Sequence, residues 1–478
     1  MKWTVLATVM VGTFMGPLDG SVVNLALPTL ARHFAVGITT IEWVSVAYLL
    51  TVSTLLLTFG RLGDIVGLKP LYLGGFAIFV VGSALCALAW HVWALVAFRA
   101  VQAVGAAMLF AAGPAIITQV FPARERGKAL GLVGIAVSAG LAVGPTLGGL
   151  LIAAGGWRLV FLINLPIGVA AFALAGRTLK LDSPKGQRFD PYGAILSFAA
   201  LFPLLLVLSR GQEWGWGTPR VAALITLAAV GMAAFVLVES RVSEPVLDLS
   251  LFRIRIFSAA AVSALASYVV TAAVLFLMPF YLLDVREFSI AYAGLLLTPI
   301  PAAMVLLGPL SGAMSDRIGS RVLSTVGLLV STAGVASFVT LSTDTGALGI
   351  VLRLLVVGVG LGIFQAPNSS AMMGSVPRHR LGIASGMVAS ARNIGMVLGI
   401  SLAALALAVR EPYHLRELAT SLAPEAVRGE AFLLAARDAF WLAAVICLGG
   451  ALTSLVRGDG SHPDARPIPA EQPRESQR

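Results

Sequence analysis

Along this chain, polar positions come in short bursts and apolar positions in long runs. A helix needs about 20 predominantly apolar residues to cross a bilayer. Runs of that kind lie at 4–28, 40–60, 70–90, 93–120, 128–153, 159–177, 191–209, 221–238, 257–283, 290–314, 322–342, 347–373, 383–409 and 432–456, which predicts fourteen membrane spans. The first residues, "MKWTVLATVMVGTF", have the basic start and apolar run of a signal peptide. Pro17, Asp19 and Asn24 carry that run on to full span length, so it reads as an uncleaved first span. Residues 457–478 are polar and Pro-rich and read as a disordered tail.

Composition strengthens the membrane reading. Of 478 residues, 58% are hydrophobic and only 12% charged, against roughly 25% charged in a soluble domain. The mean hydropathy is +0.92. Fifty glycines suit close approach of membrane helices. Cys86 and Cys447 both lie in apolar runs and suggest buried thiols rather than a disulfide framework.

The net charge of +10 invites a nucleic-acid partner, but its distribution explains it otherwise. With an even span count, both termini share one face. That face carries 21 of the Lys and Arg residues and the opposite face nine, with Arg99, Arg353 and Arg392 inside spans. The positive-inside rule then places both termini in the cytoplasm of a multi-pass cell-membrane protein.

An internal repeat organises the chain. "GRLGDIVGLK" at 60–69 aligns with "GAMSDRIGSR" at 312–321 at an offset of 252, pairing Gly60 with Gly312, Asp64 with Asp316, Gly67 with Gly319 and Lys69 with Arg321. "FPARERGKALGLVGIAVSAG" aligns with "VPRHRLGIASGMVASARNIG" at an offset of 255. The expected fold is an all-α membrane protein with two six-helix halves, 1–178 and 257–456. A two-helix insert with flanking loops at 179–256 separates them, and the tail at 457–478 follows. Parallel repeats of this kind are a transporter arrangement, with the site near the midplane between the halves.

Five short motifs, in order and on the expected spans, carry a family resemblance. They are "LDGSVVNLALP" (18–28), "GRLGDIVGLK", "RAVQAVGAAM" with Arg99, Gln102 and Gly105, "GLAVGPTLGG" (140–149) and "FLINLPIG" (161–168). Together they resemble the fourteen-span drug/proton antiporters of the major facilitator superfamily, over nearly the whole chain. The loop motif departs from the usual pattern at Ile65 and Leu68, where basic residues are expected, while its second copy keeps Arg317 and Arg321.

Each motif has a physical reading. Asp19 is the natural proton carrier: burial penalises an ionised carboxylate, which suits a group that takes up and releases protons. The competing reading is a structural aspartate that caps a kink or pairs with Asn24. Arg99 lies mid-span in the same half and can favour the charged form of Asp19, or else serve backbone carbonyls. Gln102 reads first as a helix–helix hydrogen bond. The resemblance implies a charge-relay latch in the loop motif (Gly60, Arg61, Asp64, Gly67, with Asp316, Arg317, Gly319 and Arg321 in the repeat). In it, Asp64 pairs with a cation or caps a neighbouring helix when the cytoplasmic side is shut. Gly140, Gly144 and Gly148 are four apart and form one smooth helix stripe. Gly149 follows directly, and Pro145 permits a kink. The second half has Gly395 and Gly399 but Ile400 in place of the proline, so a seal confined to the first half is expected. Gly127, at a loop-to-helix junction, reads as more tolerant of substitution than Gly144. Tyr48, Asn164, Gln365 and Asn368 are the candidate cavity residues.

Other chemistry is missing from the sequence. There is no G-x-x-x-x-G-K-[ST] loop, so the expected energy source is the proton-motive force, with no cofactor. His33, His91, His379, His414 and His462 show no metal-ligand spacing, and no catalytic residues are expected. The resulting expectation is a monomeric, proton-coupled exporter of small lipophilic compounds such as drugs, antibiotics or dyes. Spans 10 to 13 lack Asp and Glu. Expected substrates are therefore neutral, zwitterionic, weakly acidic or monocationic rather than dicationic. Two rivals stay open: a solute importer on the same fold, and a non-transporting membrane sensor.

Overall fold

A computed structural model describes residues 2–180, 189–242, 245–288, 290–377, 380–418 and 424–457. Among these residues there is no strand. In hydrocarbon, backbone N–H and C=O groups must be satisfied within the segment, and a helix does this alone. The long helices are α1 (Lys2–Phe34), α2 (Trp43–Val66), α3 (Leu68–Ala87), α4 (Val92–Val120), α5 (Ala123–Gly155), α6 (Asn164–Thr178) and α7 (Pro191–Trp214). They continue with α8 (Pro219–Glu239), α9 (Arg255–Phe280), α10 (Pro299–Ile318), α11 (Ser320–Ser337), α12 (Ala347–Gly374), α13 (Leu381–Leu418) and α14 (Pro424–Val456).

Thirteen segments among the described residues are long and apolar enough to cross a membrane. The expected span outside that set is α5, a 33-residue helix packed between α1 and α10. Two expected spans are interrupted. The sixth consists of Arg158–Leu162 followed by α6, and the tenth of Ile290–Leu297 followed by α10. Pro166 and Pro299 each lie just beyond a break and lack the N–H that would continue the ladder. Arg457, the first residue of the expected tail, is buried, donating to Asn368 Oδ1 (3.2 Å) and Ser320 Oγ (2.8 Å). Residues 458–478 lie outside the described residues.

The repeat is visible in the packing. Helix pairs α1·α5, α2·α4 and α3·α4 in the first half recur as α9·α13, α10·α12 and α11·α12 in the second. The two most extensive contacts between the halves, α2·α13 and α5·α10, are exchanged by the repeat, and α4·α13 and α5·α12 add to them. The loop motif makes the same turn twice. Gly67 between α2 and α3 has φ 95°, and Gly319 between α10 and α11 has φ 89°. A side chain at either position would be strained, which explains why the tight connection carries glycine.

One apolar cluster lies wholly in the first half, around Val44, Val92 and Phe161, and another in the second, around Leu277, Phe338 and Phe364. A third crosses between them, joining Leu56, Ile117 and Val133 to Met372, Ile383 and Ala384. The inserted helices sit beside this junction: α7 packs on α2 and α13, and α8 packs on α7. Arg210 of α7 bonds Glu42 at 2.9 Å and Glu213 at 2.6 Å, and Ser401 of α13 donates to the Leu208 carbonyl at 2.6 Å. The insert is thus tied to both halves.

Candidate functional site

Asp19 is buried in the middle of α1, and three side chains converge on it. Arg99 Nη1 donates to Oδ2 at 2.5 Å. Gln102 Nε2 and Asn164 Nδ2 donate to Oδ1 at 3.0 and 2.8 Å. All three partners are donors, so hydrogen-bond geometry fits the carboxylate, and a proton on either oxygen would face a donor. Arg99 is held in turn. It donates to the Val44 carbonyl (3.3 Å) and to Gln102 Oε1 (2.7 Å), and its guanidinium carbon lies 4.1 Å from the centroid of the Tyr48 ring. Gln102 also donates to Ser83 Oγ at 2.6 Å. A close, desolvated arginine–carboxylate pair with its remaining groups hydrogen-bonded is the arrangement in which two buried charges tolerate each other.

Four sequence expectations change here. Asn24 does not support Asp19; it is exposed and accepts from Ser45 Oγ at 2.8 Å. Asn24 lies five residues past Asp19, more than a helical turn away along α1. Tyr48 and Asn164 do not line the cavity described below, because Tyr48 stacks on Arg99 and Asn164 is a partner of Asp19. Asn368 is also elsewhere: it donates to the Ala260 carbonyl at 2.9 Å and receives Arg457. Asn164 could not be found from sequence as an Asp19 partner, since 145 residues separate the two.

The loop motif forms two crossed contacts between the halves. Asp64 accepts the Gly382 and Ile383 backbone N–H groups at 2.8 and 3.0 Å, in the first turn of α13. Asp316 accepts those of Gly127 and Lys128 at 3.0 and 3.2 Å, in α5. Asp64 thus sits at a helix N-terminus, where a carboxylate gains from unpaired N–H groups and the helix dipole, while Asp316 reaches the second turn of α5. Lys69 and Arg321, the last residues of the two copies, cap helix C-termini within their own halves. Lys69 donates to the Gly176 and Leu179 carbonyls (2.8 and 2.7 Å), and Arg321 to the Leu455 carbonyl (2.9 Å). Arg61 is buried and Arg317 exposed.

Glycines make these contacts possible. A Cβ on Gly60 would lie 2.6 Å from the Gly382 carbonyl oxygen, and one on Gly127 2.5 Å from that of Gly312. Gly127 is therefore no tolerant junction: the α5·α10 approach excludes a side chain there. The α5 stripe packs on α1. A Cβ on Gly140 would meet the Phe14 carbonyl at 2.7 Å, one on Gly144 would collide with Ser21, and one on Gly148 would press on Val22 at 3.1 Å. Gly149 lies off the seam, exposed, with Leu25 at 3.9 Å. Pro145 lies in α5, and its side chain is outside the described atoms. The second half has an equivalent close seam, with Gly395 and Gly399 against Tyr268 and Val269 of α9. Close glycine packing is therefore not confined to the first half.

Between the halves lies a cavity of ≈ 890 Å³, a volume that includes its open mouth. Residues of α1, α4, α5, α9, α10, α12 and α13 line it. Its walls are mostly apolar, with Thr13, Ser138, Tyr268, Gln365, Ser369 and Arg392 as polar groups and, among the described residues, no Asp or Glu. Gln365 is where the sequence placed it. Tyr268 and Arg392 were not assigned from sequence; Arg392 was visible only as one of three basic residues inside spans. Arg353 plays no part here: it donates to the Ser337 and Gly349 carbonyls and to Thr340. Among the described residues, no group of three or more His, Cys, Asp or Glu could hold a metal ion.

Similar proteins agree with this architecture. The chain is 34% identical over 457 residues to the riboflavin transporter RibZ of Clostridioides difficile, covering 95% of this chain and 97% of that one. It is 34% identical over 417 residues to the multidrug resistance protein Stp of Mycobacterium tuberculosis, covering 86% and 77%. Its fold matches the proton:xylose symporter XylE with a TM-score of 0.63 at 14% identity, over 93% and 94% of the two chains. A family model described as Major Facilitator Superfamily matches residues 9–400. With its two packed repeats, crossed interface and central cavity, the chain belongs to the Major Facilitator Superfamily of membrane transporters.

Proposed function

We propose that this transporter exports small lipophilic compounds across the cell membrane in exchange for protons, as a fourteen-span antiporter with both termini cytoplasmic. The observation that carries the reading is the buried Asp19–Arg99 pair, set in α1 and α4, the helices that also supply Thr13, Phe110 and Pro114 to the cavity. A membrane protein retains an intramembrane charge, at a cost of about 2.5–3.5 kcal/mol on insertion scales, chiefly where it has work to do. A proton on Asp19 removes the charge that holds Arg99, Gln102 and Asn164. The α1 helix is then free to shift along the smooth α5 seam, which reshapes the cavity wall. The driving force suffices: 100 mV supplies about 2.3 kcal/mol per charge, and each pH unit about 1.4 kcal/mol per proton. In the proposed orientation, the Asp64 and Asp316 contacts shut the cytoplasmic entrance. The similarity to a multidrug resistance protein supports this substrate class.

The similarity to a riboflavin transporter keeps solute import as a second reading. Purified protein in liposomes with an acidified lumen separates the two. An antiporter accumulates a lipophilic dye, rhodamine 6G or sulforhodamine B, inside, acidifies the outer medium, and does neither when the pH gradient is collapsed. Uptake of riboflavin or a sugar that requires an acidic outer medium instead would replace export with symport.

A further inference from the structure

Arg392 of α13 faces the central cavity from the second half. Its guanidinium carbon lies 5.0 Å from the centroid of the Phe110 ring, on α4 of the first half. Among the described residues it has neither an ion pair nor a hydrogen bond. Arg99, by contrast, is paired with Asp19 and held by Val44 and Gln102. Among the described residues, the cavity wall supplies no carboxylate that could neutralise Arg392. A guanidinium has five N–H donors and no acceptor. Gln365 adds to the imbalance: its carbonyl oxygen accepts from the Tyr268 hydroxyl at 2.9 Å, leaving its amide N–H groups without a partner among the described residues.

The polar equipment of this cavity is thus rich in donors, positive, and set among apolar walls that include the rings of Phe110 and Tyr268. Arg392 is half-buried at this open cavity, so its donors are available to a bound counter-charge that the wall itself does not supply. Arginine suits this task because its planar fork engages carboxylate and sulfonate oxygens while its face stacks on a ring. We propose that Arg392, seated over Phe110 with Gln365 in the same cavity, anchors the acidic group of a lipophilic aromatic monoanion. This inference rests on the export reading and narrows it. Of the neutral, zwitterionic, weakly acidic and monocationic substrates that the sequence allows, the cavity selects the acidic ones.

The test uses two dyes built on the same xanthene ring, sulforhodamine B as the anion and rhodamine 6G as the cation. Full-length protein is placed in phosphatidylcholine liposomes with an acidified lumen, and uptake of each dye is followed. The wild type should take up sulforhodamine B in preference. Arg392→Gln should lower that uptake by roughly tenfold or more, the scale of one lost charge-assisted contact. Arg392→Glu should reverse the preference and raise rhodamine 6G uptake above the wild type, which also shows that the variant is folded. If the wild type prefers rhodamine 6G, or Arg392→Gln lowers both dyes equally while Arg392→Lys restores neither, the anchor is refuted and export stands. If neither dye moves with the pH gradient in any of the proteins, export falls and the anchor with it.

Discussion

Asp64 and Asp316 are related by the internal repeat, and each reaches into the half to which it does not belong. Asp64, at the end of α2, binds the start of α13; Asp316, at the end of α10, binds the start of α5. The two carboxylates thus tie the halves together from opposite sides. Each contact depends on a glycine pair, Gly60 with Gly382 and Gly127 with Gly312, that lets backbones touch. The loop motif is therefore an interface element rather than a solvated turn.

Asp316→Asn keeps the side-chain size but loses the charge and one of its two acceptor oxygens. Spin labels at the exposed positions Arg124 and Arg317 should move apart in this variant, measured by electron–electron double resonance. Asp64→Asn combined with Asp316→Asn should widen the distribution further. An unchanged distance in the double variant would show that other contacts hold this face shut.

Asp19→Asn should abolish substrate-induced proton release and also lower stability. It leaves Arg99 buried beside a neutral group, and breaking one partner of a buried pair costs about 3–5 kcal/mol. Removing both charges, in Asp19→Asn with Arg99→Gln, should recover much of the thermal stability without restoring proton release. Thermal unfolding in detergent and pH-indicator recordings check the two parts separately. Wild-type proton release by the single variant would remove Asp19 from the coupling step.

Arg99→Lys preserves charge but not geometry. One ammonium cannot hold Asp19, Gln102 and the Val44 carbonyl while covering the Tyr48 ring as the planar guanidinium does. Transport should fall about tenfold or more, in line with the loss of a charge-assisted contact. Near-normal transport at matched expression would reduce Arg99 to a generic positive charge.

Glycine substitutions should divide by packing rather than by motif membership. Gly144→Val and Gly127→Val should both abolish transport, since each drives a branched side chain into a neighbouring helix. Gly149→Val, although in the same short motif, should retain at least roughly half of wild-type transport, because surface positions usually change stability by about 0.5 kcal/mol or less. Loss of transport in Gly149→Val at normal expression would mean that the motif acts through something other than close packing.

Much of this protein was legible in one dimension. Hydrocarbon demands long apolar helices, so the spans could be read from runs of apolar residues, and Asp19 and Arg99 stood out because charge inside such runs is costly. The repeat was legible because Gly67 and Gly319 must be glycine in the same tight turn. Partnerships across sequence distance were not legible. Asn164 reaches Asp19 from 145 residues away, and Asp64 reaches Gly382 from 318. Nothing in local pattern marks Gly127 as an interface position or separates the paired Arg99 from the unpaired Arg392. Both arginines sit in apolar runs, and only the packing of α4 against α1 and of α13 along the cavity decides which one meets a carboxylate. Apolar content commits each segment to the membrane; which side chains then share a site depends on how the helices pack, and in a bilayer that is set by small contact surfaces rather than by hydrophobicity.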